Sequence, residues 1–581
     1  MTTPQTRSAA PQSGGTTTHE VTNQPPPLQG HDLYGTDDAL REAVEREGAA
    51  WAHDRLHELG TRAGGADAIG WGFAAEAAPP VLRTHDRFGH RIDEVTYHPA
   101  YHALMDVAVG SGLHAAPWTD PTPGTHVARA AGFLLWSQVE PGHLCPISMT
   151  YAAVPALRAQ PELARVWVPA LAARRYDPAL GPVADKPGAL AGMAMTEKQG
   201  GSDVRANATR AVPGGPGGPG GPGAEHRLTG HKWFCSAPMS DMFLMLAQAP
   251  GGLSCFLVPR VLPDGTRNAI RLQRLKDKLG NRSNASAEIE LDDACGWMVG
   301  DQGRGVRTIV EMVTATRLDC VLGTSALIRQ ASVQAVHHAR HRSAFGRRLA
   351  DQPLMQAVLA DLAVESEAAT SLALRLAGAM DRSQHGADEQ ETMLRRIGTA
   401  VAKYWVCKRG PTVVGEALEC LGGNGYVEES GLPRLYREAP VNSVWEGSGN
   451  VNALDVLRAL ARTPVTADAL LAEVDTARGG DRRLDDAADA LRRELGALAV
   501  AVSRSGDDAA AAATATAERG ARRLVERMAL TWQGALLVRH APTAVADAFC
   551  ASRLAGDWGH TLGTLPVDAD TDAILTRFLP T

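Results

Sequence analysis

The chain has 581 residues, an apolar fraction of 44% and a net charge of -7, enough for a large core and several domains. That mild acidity argues against a basic nucleic-acid-binding protein by composition. Eight scattered cysteines without a CxxC pair argue against a zinc site or disulfide scaffold and fit a reducing cytosol.

Residues 1–30 are polar and Pro-rich, with Arg7 as the only Arg and no apolar signal core, so a disordered lead-in is expected. No window approaches about eighteen consecutive strongly apolar residues. The expectation is a soluble, cytoplasmic protein with no membrane segment. Residues 31–188 read as a helical domain. In "DDALREAVEREGAAWAHDRLHELG", Leu40, Val44 and Trp51 fall on one side and Gly60 marks a stop. Residues 189–300 read as a β domain. There "SAEIEL" turns Ala287, Ile289 and Leu291 one way and Glu288 and Glu290 the other, and "MFLMLAQ" and "LSCFLVP" read as buried strands. "PGGPGGPGGPG", Pro213 to Gly223, can join neither ladder nor helix and predicts an exposed hairpin extension. Residues 301–461 return to the helical period in segments of bundle length, such as "PLMQAVLADLAVESEAATSLALRLAGAM". Residues 462–581 are rich in Ala and Arg and predict further helix over "DDAAAAATATAERGARRLVERMAL". Helices, a β unit, then helices again make a segregated α+β plan.

The stretch "AGMAMTEKQGGSDVRANATRA", Ala191 to Ala211, carries paired glycines that let a ligand approach the backbone. No Lys-Ser or Lys-Thr follows them, so it is not a P-loop, and the βαβ setting of a dinucleotide fingerprint is absent. From spacing alone a plain turn stays open.

Five motifs in order change that reading. "MTEKQGGSD", "TGHKWFCSA", "RSAFGRRL", "ECLGGNGY" and "SVWEGSGN" resemble the "TEPxAGSD", "GxKxWITN", "RxxFGxxL", "QxxGGxGY" and "xIYEGTxxI" segments of the acyl-CoA dehydrogenase superfamily. The resemblance implies that family's fold: an N-terminal helical domain, a middle β-barrel or sandwich, and a C-terminal four-helix bundle, here with an extra helical region. It implies FAD, held by Met193, Met195, Thr196, Gly201, Ser202, Phe234, Cys235, Ser236, Arg342, Phe345, Gln356, Gly422, Gly423, Trp445, Ser448 and Asn450. Phe234 would stack on the flavin and Ser236 would bond near N5, while Arg342, Phe345 and the glycine turn would reach a neighbouring subunit's FAD. That implies a homo-oligomer, a tetramer built as a dimer of dimers. Glu446 is the implied catalytic base, removing a proton α to a thioester. A helix-start carboxylate with Ser448 as cap is the competing reading of Glu446. Arg317 and Trp445 are implied on the substrate side. Thr314 stands where relatives carry an Asp that holds CoA, and Thr316 where some carry an alternative base, so efficient turnover of acyl-CoA is not expected.

"RLKDKLGNRSNAS", "RLYREAPVNSVWEGSGNV", "SQVEPGHLCPISMT" and "NQPPPLQGHDLYGTD" are similar to the AidB-type branch, which implies weak isovaleryl-CoA dehydrogenase activity, double-stranded DNA binding and protection against alkylation. After Leu460 the chain holds roughly fourteen Arg, no Lys and roughly seventeen acidic residues, so any DNA contact must come from a local basic face. Arg437, Arg458, Arg522 and Arg523 are the candidates, against an ordinary solvated helix face. No sequence-reading DNA motif is evident. Two rivals remain: a metabolic acyl-CoA dehydrogenase without a DNA role, and a flavin-stabilised scaffold.

Overall fold

The structure, a computed structural model, describes residues 18–215, 220–385, 388–503 and 507–579. The first seventeen residues of the expected lead-in and residues 216–219 of the Pro/Gly run lie outside the described residues.

Eight helices lead: α1 (Asp38–Arg46), α2 (His53–Ala63), α3 (Ala66–Ala77), α4 (Pro99–Gly110), α5 (Ala116–Thr119), α6 (Thr125–Ser137), α7 (Leu144–Leu157) and α8 (Pro161–Leu171). The first expected helix is two. Leu40 and Val44 are buried on α1, but Trp51 sits 41% exposed in the break, its indole N–H donating to the Pro123 carbonyl at 3.0 Å. Gly60 does not stop α2. It lies inside it because the backbone around Tyr34 packs so closely there that a Cβ would meet the Tyr34 nitrogen at 2.7 Å. A hairpin of β1 (Val81–His85) and β2 (Arg91–Thr96), missed in the sequence, interrupts the helices. Its signal was the turn at Asp86–Gly89, where Gly89 is left-handed at φ 87°.

The β unit holds β3 (Ala191–Ala194), β4 (Arg210–Pro213), β5 (Glu225–Ser236), β6 (Met242–Ala249), β7 (Gly252–Pro259), β8 (Ile270–Leu275) and β9 (Ser286–Val299). Pairings β6–β4, β4–β5, β5–β9, β9–β7 and β7–β6 close a ring, with β3 beside β6 and β8 beside β9. Strands β4 and β5, flanking the Pro/Gly run, are antiparallel as a hairpin requires. On β9, Ala287, Ile289 and Leu291 are buried as expected, and Glu290 is exposed. Glu288 departs from the alternation: it is tucked in beside Lys276 and Arg274, at 2.6 and 2.7 Å.

The long helices α9 (Gly305–His341), α10 (Pro353–His385) and α11 (Glu389–Cys420) pack on one another, followed by α12 (Leu432–Glu438) and α13 (Gly449–Arg462). The later helices α14 (Val465–Asp475), α15 (Arg482–Ser503), α16 (Asp507–His540), α17 (Thr543–Phe549) and α18 (Thr571–Phe578) share this core. On α16, fully buried Trp532 lies against Gly398 of α11, where a Cβ would meet the indole at 2.7 Å, and Gln533 accepts from the Trp405 indole at 3.0 Å. Among the described residues no helix is long and apolar enough to cross a membrane, and the eight cysteines are free, all but Cys145 buried.

Candidate active site

Glu446 occupies the turn between α12 and α13, at φ 57° and followed by Gly447 at φ 95°. A non-glycine residue in this region costs on the order of 1 kcal/mol or more, so the surroundings must impose it. They do. The buried Lys403 of α11 donates to the Trp445 and Gly447 carbonyls at 2.8 and 2.6 Å, and Asn452 donates to Gly447 at 2.6 Å. Arg317 of α9 donates to the Glu446 carbonyl at 2.9 Å and pairs with Asp455 at 2.7 Å. The carboxylate itself accepts from the Thr316 hydroxyl at 2.8 Å. Burial pushes the Glu446 carboxyl above the usual range; the Thr316 bond and the charges of Lys403 and Arg317 pull it back only in part.

Several predicted residues acquire different surroundings from those expected. The guanidinium of Arg317 is committed to the Glu446 carbonyl and Asp455. Ser448 is at the N-cap position of α13, but its side chain makes no capping bond, and both it and Asn450 are exposed. Trp445 is anchored through its indole to Asn442 at 3.0 Å. Thr314 is half-buried and donates to the Val310 carbonyl at 2.9 Å.

The glycine loop follows β3. Thr196 is joined to β5 by its carbonyl, which accepts from the Trp233 amide at 2.8 Å, and a Cβ on Gly201 would meet the Thr196 hydroxyl at 2.5 Å. Met193 and Met195 are partly buried, Gly201 and Ser202 exposed, and Phe234 49% exposed. Cys235 turns the other way, its thiol lost in the barrel core and pushed by burial up to about 12, which leaves only its backbone for a ligand.

Two motif residues prove to be structural. Glu197 and Lys232, both fully buried, form an ion pair at 2.8 Å, with Lys232 also on the Leu246 carbonyl at 2.7 Å. Burial alone would raise the Glu197 carboxyl, but Lys232 and the Thr209 and Ala208 donors bring it down to about 2.

Cys145 on α7 lies between the end of β5 and the turn. Its thiol is raised to about 11 by burial first; Lys278 and Ser236 pull it down, and Glu446 is close enough to push it up. The pattern missed Lys403 and Cys145. A lone lysine in the otherwise apolar "AVAKYWVC" was the available signal for the first.

Arg342, Phe345, Gly422 and Gly423 form a second group. Arg342 donates to the Asn23 carbonyl at 2.6 Å, and Asn424 reaches Gln24 at 3.5 Å. Phe345 is left-handed at φ 54° and 98% exposed; a Cβ on Gly422 or Gly423 would meet nothing within 4 Å. Gln356 reaches Asp572 at 3.4 Å. Of the arginines considered for DNA, Arg437 is paired with Glu428 at 2.6 Å, and Arg522 lies over the Tyr404 ring at 5.8 Å. Arg458 and Arg523 are exposed and meet no carboxylate among the described residues.

Comparison with known proteins bears on all of this. The Adaptive response protein AidB N-terminal domain matches residues 23–178, the acyl-CoA dehydrogenase middle domain residues 192–294, and the acyl-CoA dehydrogenase C-terminal domain residues 303–461. The chain belongs to the acyl-CoA dehydrogenase family. Its likeness is to the AidB branch: it is 47% identical to AidB of Escherichia coli (strain K12) over 92% of this chain and 94% of that one. It is 31% identical to acyl-CoA dehydrogenase family member 11 of Caenorhabditis elegans, over 81% of this chain and 77% of the relative. A crystal structure of that worm's ACDH-11 in complex with C11-CoA superimposes with a TM-score of 0.82, at 28% identity, over 93% of this chain and 94% of that one.

Proposed function

We propose that this chain is an FAD-dependent oxidoreductase acting on the CH–CH bond of acyl thioesters, with Glu446 as its base. The observation that carries the reading is the turn at Glu446: three side chains from α9, α11 and α13 hold its backbone in a strained conformation, and a fourth holds the carboxylate. A structural carboxylate needs no such support.

The surfaces left uncovered suit FAD. The folded loop at Gly201, the open glycines 422 and 423, and the exposed rings of Phe234 and Phe345 offer backbone donors and apolar faces to a large aromatic, phosphate-bearing group. The flavin supplies hydride acceptance from the substrate β-carbon. Glu446 takes the α-proton, Thr316 keeps the carboxylate aimed, and Arg317 and Lys403 fix the backbone from which it extends. The missing acid at Thr314 and the bulk of Trp445 go with weak or specialised turnover, isovaleryl-CoA-like in keeping with the branch.

Anaerobic titration of the yellow protein with isovaleryl-CoA and an acyl-CoA panel tests this. Bleaching of the flavin band is expected, and Glu446→Gln slows it by about 10²–10⁴-fold while chemical reduction is unaffected. Bleaching that Glu446→Gln leaves unchanged overturns the assignment of the base.

The DNA-protective role of the AidB branch is a second reading, favoured here by Arg458 and Arg523 on neighbouring helices α13 and α16, which meet no carboxylate among the described residues. Contacts there would be to phosphates, so duplex affinity should fall steeply with salt. Arg458→Glu with Arg523→Glu should weaken binding equally across sequences and flatten that salt slope. Unchanged binding would return these arginines to an ordinary solvated face. Assembly as a tetramer is proposed with the FAD site, because Phe345 and the open glycines 422 and 423 leave surface uncovered within one chain.

A further inference from the structure

Lys278 sits in the loop between β8 and β9, and no motif reading gave it a role. Lys278 is half-buried, and its ammonium has no carboxylate within ion-pair distance among the described residues. It donates to the Asn284 carbonyl at 2.7 Å and to the Ser286 hydroxyl at 3.0 Å, with Asn281 Oδ1 at 3.5 Å. Cys145 first, then Glu438, Glu76 and Glu140, act on it only from beyond contact. An ammonium drawn partly out of water and held only by neutral acceptors is costly, and a charged partner would have served stability better.

The next link says what it serves. Ser286 is the strand partner of Ser236, and their hydroxyl oxygens are 3.4 Å apart. An ammonium can only donate, so Ser286 accepts from Lys278 and has its own hydrogen free for Ser236. The Ser236 hydrogen is then left to point away from the wall, into the space shared with Cys145 and Glu446. The Cys145 thiol near it is only a weak acceptor, which a better one displaces. Ala237, left-handed at φ 47°, pins the end of β5 to the same loop through the Ala285 carbonyl at 2.8 Å.

We propose that Lys278 is a positioning residue that acts through Ser286 to fix Ser236 as an outward hydrogen-bond donor and to place positive potential behind the redox-active edge of the flavin. The inference rests on the FAD reading above. A fixed donor and a cation favour the electron-rich reduced form, so Lys278 raises the flavin midpoint potential.

The test is the midpoint potential of FAD-loaded wild type, Lys278→Met, Ser286→Ala and the double variant, with melting recorded alongside. Lys278→Met should weaken the preference for reduced flavin about tenfold, which is about 30 mV for a two-electron couple. Ser286→Ala should shift the same way, the double variant no further than Lys278→Met, and Lys278→Arg should restore most of the loss. A wild-type potential in Lys278→Met with FAD bound overturns the proposal, and a double variant shifted by the sum of the two overturns the relay. Should Lys278→Met fail to fold, Ser286→Ala, which removes one hydroxyl, decides the matter by the same potential. Wild-type protein that neither carries nor takes up FAD sinks the flavin reading itself, and the relay with it.

Discussion

Around Glu446 each fixed element is held by the same chain: Lys403 and Asn452 on the turn, Arg317 on the carbonyl, Thr316 on the carboxylate. Around Phe345 the opposite holds. A ring 98% exposed sits at a left-handed position beside open glycines, and Tyr426 next to them is 83% exposed. Satisfied polar groups fix a geometry during folding, whereas contiguous apolar surface is left for something that arrives later. Folding therefore completes the proposed chemical half of the site and leaves the proposed cofactor-gripping half open.

Breaking the completed half should cost the most. Lys232→Met strands the Glu197 carboxylate in the barrel and should destabilise the protein by about 3–5 kcal/mol, read by denaturant or thermal melting. Because the folded Glu197 carboxyl is held at about 2, below its unfolded value, its contribution is present above the unfolded value and lost as pH falls towards 2. Glu197→Gln should therefore lose most near neutrality and nothing further on acidification. An unchanged acid melting profile would count against the pair.

A smaller effect sharpens the chemistry. The rate of flavin reduction by an acyl-CoA should rise with pH as Glu446 ionises. Its inflection lies above the usual carboxylate value because burial is the leading cause. Thr316→Ala removes a bond that favours the ionised form, so the inflection should move to still higher pH. A shift downwards would show that Thr316 does not hold the base.

The smallest effect on the fold is expected in the open half. Phe345→Ala should leave melting of the flavin-free chain within about 0.5 kcal/mol, since the ring touches little. FAD retention and subunit association should both fall. If melting drops sharply and FAD is retained, the two halves are not distinguished as described.

Much of the architecture was legible in the sequence because hydrophobic period and turn composition act locally. The alternation at Ala287, Ile289 and Leu291 gave β9, and the long apolar period gave α10. The order of motifs gave the family and pointed to Glu446. What the pattern could not give were facts about distance along the chain. Gly60 looked like a helix stop until the segment at Tyr34 came to rest on it. Glu197 and Lys232 belong to two separate flavin motifs, yet thirty-five residues apart they close on each other as a buried ion pair. Lys403 lies in no motif, and the motifs that hold Lys278 and Cys145 assign neither a role, because their significance comes from carbonyls, hydroxyls and a carboxylate delivered by other elements. The sequence by itself determined which segments become helix or strand and which residue types are available for chemistry. Only the tertiary structure decided which polar groups would be buried together, since burial and pairing depend on neighbours that local propensity does not encode.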